Sequence, residues 1–277
     1  MAIYSNEELR SIQLIELDVL REIISICKIL SIEYFVIGGT CLGAARHHGF
    51  IPWDDDIDLG MRRKDYDIFL EKAPALLPKK YFLQTPVTDR NSPYTYAKVR
   101  VEGTEFIEYC NRKVDMHKGI YCDIFPFDEV PDDEMLNIKQ HKSFTRVNNV
   151  FFYRQTPDVF FPPRNIFDKL KSIVRLLYHL LLKITTNREM ILSRLKEISE
   201  SYNGTGQSAL ANLNFPRRKT EYIRITDLYP LKQMPFEDLL VNVPKNTDEY
   251  LKTHFGDWKL LPPPDQQVGH KPYRVSF

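Results

Sequence analysis

The chain has 277 residues, of which 43% are hydrophobic and 27% are charged, and its formal net charge at pH 7 is +1. These values are typical of a globular protein that is long enough to bury a sizeable core. They exclude a disordered chain, and the balanced charge argues against a nucleic acid as the main partner.

Cysteine usage and hydropathy indicate the compartment. The cysteines have neither the density of a secreted disulfide scaffold nor the close paired spacing of a zinc site. We therefore expect reduced core thiols at Cys27, Cys41, Cys110 and Cys122. The N-terminus lacks a positively charged start followed by an apolar run, and no segment offers about 18 uninterrupted apolar residues. The sequence predicts a cytoplasmic protein.

The chain opens with a helix pattern and a short strand pattern. Ser5 followed by Glu8 matches a capping box, and apolar residues then recur at helical spacing as far as Leu30. The segment EYFVIGG is aromatic and β-branched, and it ends at a glycine pair. This predicts a buried strand that enters a tight turn, followed by a short helix over residues 40–47.

The next segments alternate between loop, strand and helix patterns. HGFIPWDDD predicts a loop, whereas DIDLGM alternates carboxylate and apolar residues and predicts a strand that presents Asp56 and Asp58 on one face. RRKDYDIFLEKA predicts a helix, TYAKVRVEGTEFIE one or two strands, and GIYCDIFPFDEV a strand that ends at Pro126. This alternation predicts an α+β fold with a mixed sheet and flanking helices.

The second half changes character. Residues 132–202 are mostly helical in pattern, and the remainder returns to short strand patterns, a helix near DEYLKTHFG and a proline-rich tail. Without a repeat or a clear linker, the expected organisation is one composite domain. Its parts are a catalytic core over residues 1–131, a helical insertion over 132–202 and a C-terminal part over 203–277 that completes the core.

Carboxylates carry the strongest chemical signal. Asp54, Asp56 and Asp58 follow a turn, and a period of two lets Asp56 and Asp58 converge on one point. Adjacent carboxylates repel each other, so they are usually stabilised by a cation or by protonation. Asp123, on a second apolar strand, is a candidate third ligand, and Mg²⁺ suits an all-oxygen site. Because aspartate runs also occur in solvated loops and at helix N-termini, both interpretations stay open at this point.

A glycine pair precedes this acidic segment. Gly38, Gly39 and Thr40 can bring backbone N–H groups and a hydroxyl close to a phosphate, and the N-terminus of the following helix adds a favourable dipole. The alternative is an ordinary turn, which is the commoner role of a glycine pair.

The stretch GGTCLGAARHHGFIPWDDDIDLGM resembles the signature of the LicD family, the phosphocholine transferases of bacterial surface glycans, which are similar to fukutin-type transferases. The resemblance continues in YAKVR, GIYCDIFPFD, PFEDLLVNVP and YLKTHFGDWKLLPPP, so it covers both ends of the chain. The first motif is long and specific, the later ones are looser, and the helical middle matches only in general character. This resemblance implies a nucleotidyltransferase-like core.

The resemblance also implies roles for particular residues. It assigns catalysis and metal binding to Asp56, Asp58 and Asp123. It also implies that six residues contact the substrate. They are Gly38, Gly39 and Thr40 at the phosphate-side turn, Arg46 on the following helix, Asp54 as the first acid, and Lys98 in YAKVR, which would neutralise donor phosphate. A solvated strand lysine is the alternative for Lys98. The departures from the family pattern, Cys41 and the doubled histidine His47-His48, remove no expected carboxylate.

The reaction implied is attack by a glycan hydroxyl on a CDP-linked donor, with CDP-choline favoured, and release of CMP. Mg²⁺, or alternatively Mn²⁺, would neutralise the pyrophosphate, and Asp123 would act as ligand, as base, or as both. Choline would favour an aromatic wall, for which Trp53, Tyr94, Tyr96 and Tyr109 lie near the motifs, although aromatic residues more often belong to the core. Two alternatives stay open: nucleotidyl transfer with pyrophosphate release, and a non-enzymatic glycan-binding scaffold.

The segment NIFDKLKSIVRLLYHLLLKI, at residues 165–184, has a basic amphipathic pattern. Its apolar residues fall on one helical face, and Lys169, Lys171, Arg175 and Lys183 supply positive charge. Such a helix can lie in a membrane interface and reach a lipid-linked acceptor. An ordinary helix whose apolar face packs on the core is the slightly favoured alternative.

Overall fold

The computed structural model describes residues 5–215 and 221–277. The first helix, α1 (Asn6–Leu30), begins at the predicted capping box: Ser5 N–H donates to Glu8 Oε2 at 2.6 Å, and Glu8 N–H donates to Ser5 Oγ at 3.2 Å. Its apolar face is buried, with Ile12, Val19 and Ile23 fully inaccessible. Both the helix and its start are therefore as predicted.

The boundaries next to the first acidic motif differ from prediction. Strand β1 is limited to Phe35–Val36, helix α2 (Gly38–His47) already begins at the glycine pair, and strand β2 (Asp58–Arg62) begins two residues later than expected. The two strands are antiparallel, and their ladder ends where Ile37 N–H donates to Asp58 O at 3.1 Å. Because the chain then turns into α2, Asp56 lies in a loop and not in the strand.

A mixed sheet forms the centre of the protein. Seven strands take part, in the order β1-β2-β6-β4-β3, with β7 beside β6 and β8 beside β7. Strands β2 and β6 are parallel, and the other neighbouring pairs are antiparallel. The predicted α+β fold with a mixed sheet and flanking helices is confirmed. The remaining bounds of this part are α3 (Arg63–Lys72), β3 (Tyr81–Gln84), β4 (Ala97–Val101), β5 (Glu105–Ile107), β6 (Tyr121–Val130), β7 (Ala209–Asn212) and β8 (Glu221–Arg224).

Strand β6 does not end at Pro126 as predicted but continues to Val130. On one side it pairs with β4 only as far as Ile124 and pairs with β7 from Asp128 onward. Pro126 lies between these two ladders, at a position where a missing N–H costs no antiparallel hydrogen bond. A proline in the middle of a long strand is tolerated for this reason.

Residues 134–200, all of which the structure describes, form three helices and no strand. They are α4 (Glu134–Gln155), α5 (Ile166–Thr185) and α6 (Arg188–Glu200). Helices α4 and α6 pack together around Phe144, Phe151 and Leu195, against Val130 at the end of β6. The helical character of this stretch is as the pattern indicates, whereas the division of the chain into core, insertion and C-terminal part stays a prediction.

Helix α5 does not place its apolar face on the core. Only His179 and Leu182 of this helix are buried, whereas residues such as Ile166, Leu177 and Ile184 are exposed. The favoured expectation of a core-facing helix is therefore wrong. Within the two described ranges, no helix is long and apolar enough to cross a membrane.

The C-terminal part returns to the core. Strands β9 and β10 form a hairpin, and Tyr250 and Leu251 of the following helix are buried in the main apolar cluster. The last strand pairs with β5. All four cysteines are buried and none forms a disulfide, as predicted. The remaining bounds are α7 (Ile225–Leu228), β9 (Lys232–Phe236), β10 (Leu239–Val243), α8 (Thr247–Phe255) and β11 (Arg274–Ser276).

Candidate active site

Three charged side chains lie in a row across the sheet. Asp58 on β2 is the register partner of Asp123 on β6, which is in turn the register partner of Lys98 on β4. Register partners project from the same face of a sheet, so the row sets two carboxylates and one ammonium side by side. The structure therefore brings together two of the predicted metal ligands and the predicted lysine.

The loop before β2 supplies the other predicted acids. Burial alternates along it: Asp54, Asp56 and Asp58 are partly accessible, whereas Asp55 and Ile57 are buried. The period of two inferred from the sequence thus persists outside the strand itself. After burial, the charge of Asp56 is the largest cause that raises the pKa of Asp54, so these two carboxylates lie close together.

The glycine pair and Thr40 hold the acidic loop in place. Gly38 has φ of 51°, and its N–H donates to the Tyr250 hydroxyl at 2.8 Å. A Cβ on Gly39 would lie 2.6 Å from Asp54 Oδ2, so the absence of a side chain lets this carboxylate approach α2. Thr40 Oγ1 accepts from Asp58 N–H at 2.9 Å. A direct phosphate contact by these three residues stays a prediction.

Arg46 lies on α2 beside an open cleft of about 420 Å³. It is held by the C-terminal part, donating to Trp258 O at 2.8 Å and Leu260 O at 3.2 Å. Gly39 and Asp54 line the same cleft, together with Trp53, so the chain's two tryptophans both belong to its wall. Of the four aromatic residues that the sequence placed near the motifs, only Trp53 lines this cleft.

Lys98 is one of the most deeply buried charged residues. It is 1% exposed, and Nζ donates to Asp123 Oδ1 at 2.6 Å. Nζ lies over the rings of Tyr121, Tyr94 and Tyr96, at 3.5, 4.3 and 5.2 Å from their centroids. Cation–π attraction compensates for part of the hydration that the ammonium loses. The alternative of a solvated strand lysine is therefore wrong.

Burial raises the pKa of each predicted carboxylate. For Asp54 and Asp58 the second cause is the charge of Asp56, and for Asp58 the charge of Asp123 adds to it. The pKa of Asp123 is also raised by burial, against the opposing effect of Lys98. Burial also raises the pKa of Asp56, and the charge of His270 opposes this rise. Without a cation the site is therefore electrostatically destabilised, which is the condition under which a divalent ion binds well.

Three functional candidates were not found from the sequence. Glu16 on α1 is 1% exposed, and its Oε2 has no hydrogen-bond partner among the described residues. Burial and then the charge of Asp56 raise its pKa. A glutamate on the apolar face of a helix was a signal that could have revealed it, since a carboxylate there needs a partner.

The other two are Asp55 and His270. His270 donates its backbone N–H to Asp55 Oδ1 at 3.0 Å, and its Nδ1 lies 2.9 Å from the same oxygen. The hydrogen bond to Asp55 raises the pKa of His270 to about 10. Asp55 falls outside the period-two set of Asp54, Asp56 and Asp58, and nothing local to His270 connects it with a residue 215 positions away.

Asp55, Asp56 and His270 form a group that could hold a metal ion once His270 has lost its proton. One oxygen each from Asp55 and Asp56 and one nitrogen of His270 lie within 4.8 Å of one another. This is a different trio from the predicted Asp56, Asp58 and Asp123, and the two share Asp56. Further buried carboxylates lie near this group: Glu16 Oε2 has no hydrogen-bond partner among the described residues, and burial and neighbouring charges raise the pKa of Glu16 and of Asp58. Carboxylate-rich sites of this kind suit hard divalent cations.

The sequence model of the family described as LicD/FKTN/FKRP, nucleotidyltransferase domain, matches residues 31–174, which include α2, β2, β4 and β6 with all of the predicted site residues. The chain belongs to the LicD family. It is 28% identical to the lipopolysaccharide cholinephosphotransferase LicD of Haemophilus influenzae over an alignment that covers 95% of each chain. The family resemblance found in the sequence is confirmed, and this LicD-family protein is an enzyme of the phosphotransferase type.

Two eukaryotic members of the LicD family match over shorter stretches. Human ribitol 5-phosphate transferase FKRP is 42% identical over 45 residues, which are 16% of this chain and 9% of the relative. Mouse ribitol-5-phosphate transferase FKTN is 43% identical over 56 residues, which are 20% of this chain and 12% of the relative. Both are named for ribitol 5-phosphate, whereas the Haemophilus influenzae relative is named for cholinephosphate, so the LicD family as a whole does not specify the head group.

Proposed function

We propose that the protein is a Mg²⁺-dependent transferase that moves phosphocholine, or a related phosphate-linked group, from a CDP-linked donor to a hydroxyl of a cell-surface glycan or teichoic acid precursor, releasing CMP. The observation that carries this proposal is the juxtaposition of the acidic loop with the cleft, since Asp54 belongs to both. CDP-choline is the favoured donor because a relative that aligns over 95% of the chain is named as a cholinephosphotransferase.

The cleft is the proposed donor site. Arg46 offers the cationic group that a pyrophosphate requires, and Trp53 and Trp258 offer flat apolar surfaces to a cytosine ring or a trimethylammonium group. A quaternary ammonium over an aromatic ring is worth roughly 0.5 to 2 kcal/mol. Gly38, Gly39 and Thr40 would affect the donor phosphate indirectly, because they hold the acidic loop in place.

Asp56, Asp58 and Asp123 are the proposed ligands of Mg²⁺, or alternatively of Mn²⁺. When bound, the ion would neutralise charge on the donor pyrophosphate. The acceptor hydroxyl oxygen forms a bond to the phosphorus that bears the transferred group, and the anhydride bond from that phosphorus to CMP breaks. Asp123 would accept the hydroxyl proton or act as ligand, and Lys98 would hold it in place through the 2.6 Å hydrogen bond.

The acceptor is proposed to be a glycan, and a lipid-linked precursor would be reached by peripheral contact with the inner face of the cell membrane. No nucleic acid is proposed as a partner, because the net charge of +1 offers no basic footprint for a polyanion. Cytoplasmic placement of the donor site fits the use of a nucleotide-activated substrate.

A donor panel tests this proposal. Purified protein with Mg²⁺ is incubated with CDP-choline, CDP-ribitol and CTP, with and without glycan acceptors, and both CMP and pyrophosphate are measured. Acceptor-dependent CMP release from a CDP-linked donor is expected. Pyrophosphate release from CTP would instead establish nucleotidyl transfer, and no turnover with any donor would contradict the proposed reaction.

A further inference from the structure

Helix α5 is oriented with its apolar face away from the protein. Advancing by about 100° per residue, its sequence forms a broad apolar arc. Ile166, Leu177 and Ile184 within this arc are 72%, 60% and 85% exposed. We name the following exposed residues the apolar face of α5: Ile166, Phe167, Leu170, Ile173, Val174, Leu177, Leu181 and Ile184. Phe160 and Phe161, just before the helix, are exposed as well and extend this surface.

The opposite side of α5 holds the helix on the protein through polar contacts. Arg175 donates to Thr156 O at 2.6 Å, and its guanidinium lies 4.1 Å from the centroid of the Tyr153 ring. His179 Nδ1 lies 3.3 Å from Tyr153 O, and Leu182 is buried beside them. A water-soluble amphipathic helix buries its apolar side and exposes its charges. Because α5 exposes its apolar side instead, that side requires another apolar medium.

Basic residues border the apolar face on both sides. On the helical wheel Lys171 falls at one edge, and Lys169 and Lys183 fall at the other. The sole acid of the helix, Asp168, is engaged by Lys171 Nζ at 3.4 Å and by Arg164 N–H at 3.2 Å. Arg175, which the sequence pattern assigned to this basic set, points instead to the protein.

We propose that the apolar face of α5 docks on an anionic lipid bilayer, with Lys169, Lys171 and Lys183 at the level of the headgroups. The charge pattern favours this occupant. If two copies of the chain docked through this face, the lysines of one copy would lie against the lysines of the other and repel them. Acidic lipid headgroups would instead complement the charge of these lysines. A helix with an apolar arc and lysine borders has the pattern of interfacial helices that lie in the plane of a membrane.

Contacts link this docking surface to the catalytic face. Asp158, in the segment that Arg175 holds, forms an ion pair with Arg112 at 3.0 Å. Arg112 donates to Tyr109 O at 2.9 Å, and the neighbouring Glu108 accepts from the Tyr94 hydroxyl. Lys98 lies over the Tyr94 ring. This chain of contacts runs from Arg175, on the protein-facing side of α5, to Lys98 in the row with Asp123 and Asp58.

Vesicle co-sedimentation of the full chain tests the proposal without any measurement of catalysis. We expect binding to equimolar phosphatidylglycerol and phosphatidylcholine, weaker binding at high salt, and little binding to phosphatidylcholine alone. Leu170→Glu with Leu177→Glu is expected to reduce the bound fraction at least tenfold, and Lys169→Glu with Lys183→Glu severalfold. Matched controls, Leu240→Glu on the exposed β10 and Lys64→Glu with Lys72→Glu on α3, are expected to bind like the wild type.

A second measurement uses no glutamate substitution, so poor folding of the glutamate variants would not affect it. Because all four native cysteines are buried, Leu177→Cys can carry an environment-sensitive fluorophore with little background. Its emission is expected to shift to the blue on addition of anionic vesicles, whereas the same label at Leu240→Cys stays unchanged. No vesicle binding at low salt, or a dimer in lipid-free sedimentation that Leu170→Glu with Leu177→Glu dissociates, would overturn the proposal.

Discussion

Lys98 and Asp123 form a buried ion pair across neighbouring strands of the sheet, with Nζ 2.6 Å from Oδ1 and the two residues 1% and 6% exposed. The pair occupies the centre of the site, next to Asp58 in register. One lysine thus compensates part of the negative charge that the acids Asp54, Asp56, Asp58 and Asp123 bring together. The remaining charge is what a divalent cation would neutralise.

Lys98→Met keeps the length of the side chain and removes its charge. Asp123 would then be left among other carboxylates without its partner, so the free energy of unfolding is expected to fall by about 3 kcal/mol in EDTA. Mg²⁺ should restore part of the loss, because the ion supplies positive charge at the same place. Urea unfolding in EDTA and in Mg²⁺ measures both values, with the exposed Lys64→Met as control. An equal loss in both buffers would argue against a cation near Asp123.

Gly39→Ala tests the approach of Asp54 to α2. The added Cβ would lie 2.6 Å from Asp54 Oδ2, so the carboxylate must move. Alanine is the better helix former by about 1 kcal/mol, and stability should therefore change little. Transfer activity is expected to fall at least about tenfold, because small displacements in a site cost large factors in rate.

A double-mutant cycle separates this effect from general damage. In an Asp54→Ala background the new methyl group meets no carboxylate, so Gly39→Ala is expected to have no further effect on the rate. The same fractional loss in both backgrounds would show that Gly39 acts other than through Asp54.

Glu237 joins the β9–β10 hairpin to two other parts of the chain. It accepts from Arg10 Nη2 at 2.7 Å and from Phe50 N–H at 3.3 Å, next to the loop that carries the acids. The hydrogen bond from Arg10 lowers the pKa of Glu237. A lowered pKa in the folded state means that the stabilisation is complete above the unfolded pKa of about 4.3 and is lost as the pH falls through the folded value.

Glu237→Gln is therefore expected to lower the free energy of unfolding by about 1 kcal/mol at pH 7, since the pair is partly exposed to solvent. The difference from the wild type should disappear towards acidic pH. Asp238→Asn, which alters a more exposed pair with Arg21, is the control and should change stability less. A difference that stays constant between pH 7 and pH 3.5 would contradict the role of the Glu237 charge.

Periodicity and local motifs predicted much of the fold. The capping box at Ser5, the alternation through Asp58 and the helical stretch after Asp133 are all decided by neighbours in the sequence. Pro126 was misjudged because its tolerance depends on which strand lies beside it at that position. A short stretch of sequence does not show which strand will lie beside a given residue in the fold.

The residues of the candidate site also divide into those that a short stretch of sequence predicts and those that only the fold brings together. Asp54, Asp56 and Asp58 could be predicted because they lie two residues apart in the sequence, whereas His270 reaches Asp55 only through the path of the C-terminal segment. The orientation of α5 was misjudged for a related reason. Its amphipathic pattern specifies that one face is apolar, but only the packing of Arg175 shows which face meets the protein.

The most direct test of the account is the rate of acceptor-dependent CMP release from CDP-choline by Asp58→Asn, compared with the wild type at saturating Mg²⁺. The amide keeps the shape and removes the charge that a divalent ion requires, so we expect a fall of at least about a hundredfold, with Asp56→Asn and Asp123→Asn behaving alike. In EDTA the melting temperature of Asp58→Asn should not be lower than that of the wild type, because neighbouring carboxylates and burial already disfavour its charge. CMP release near the wild-type rate by this folded variant would contradict the proposal that these carboxylates hold the metal for phosphate-group transfer.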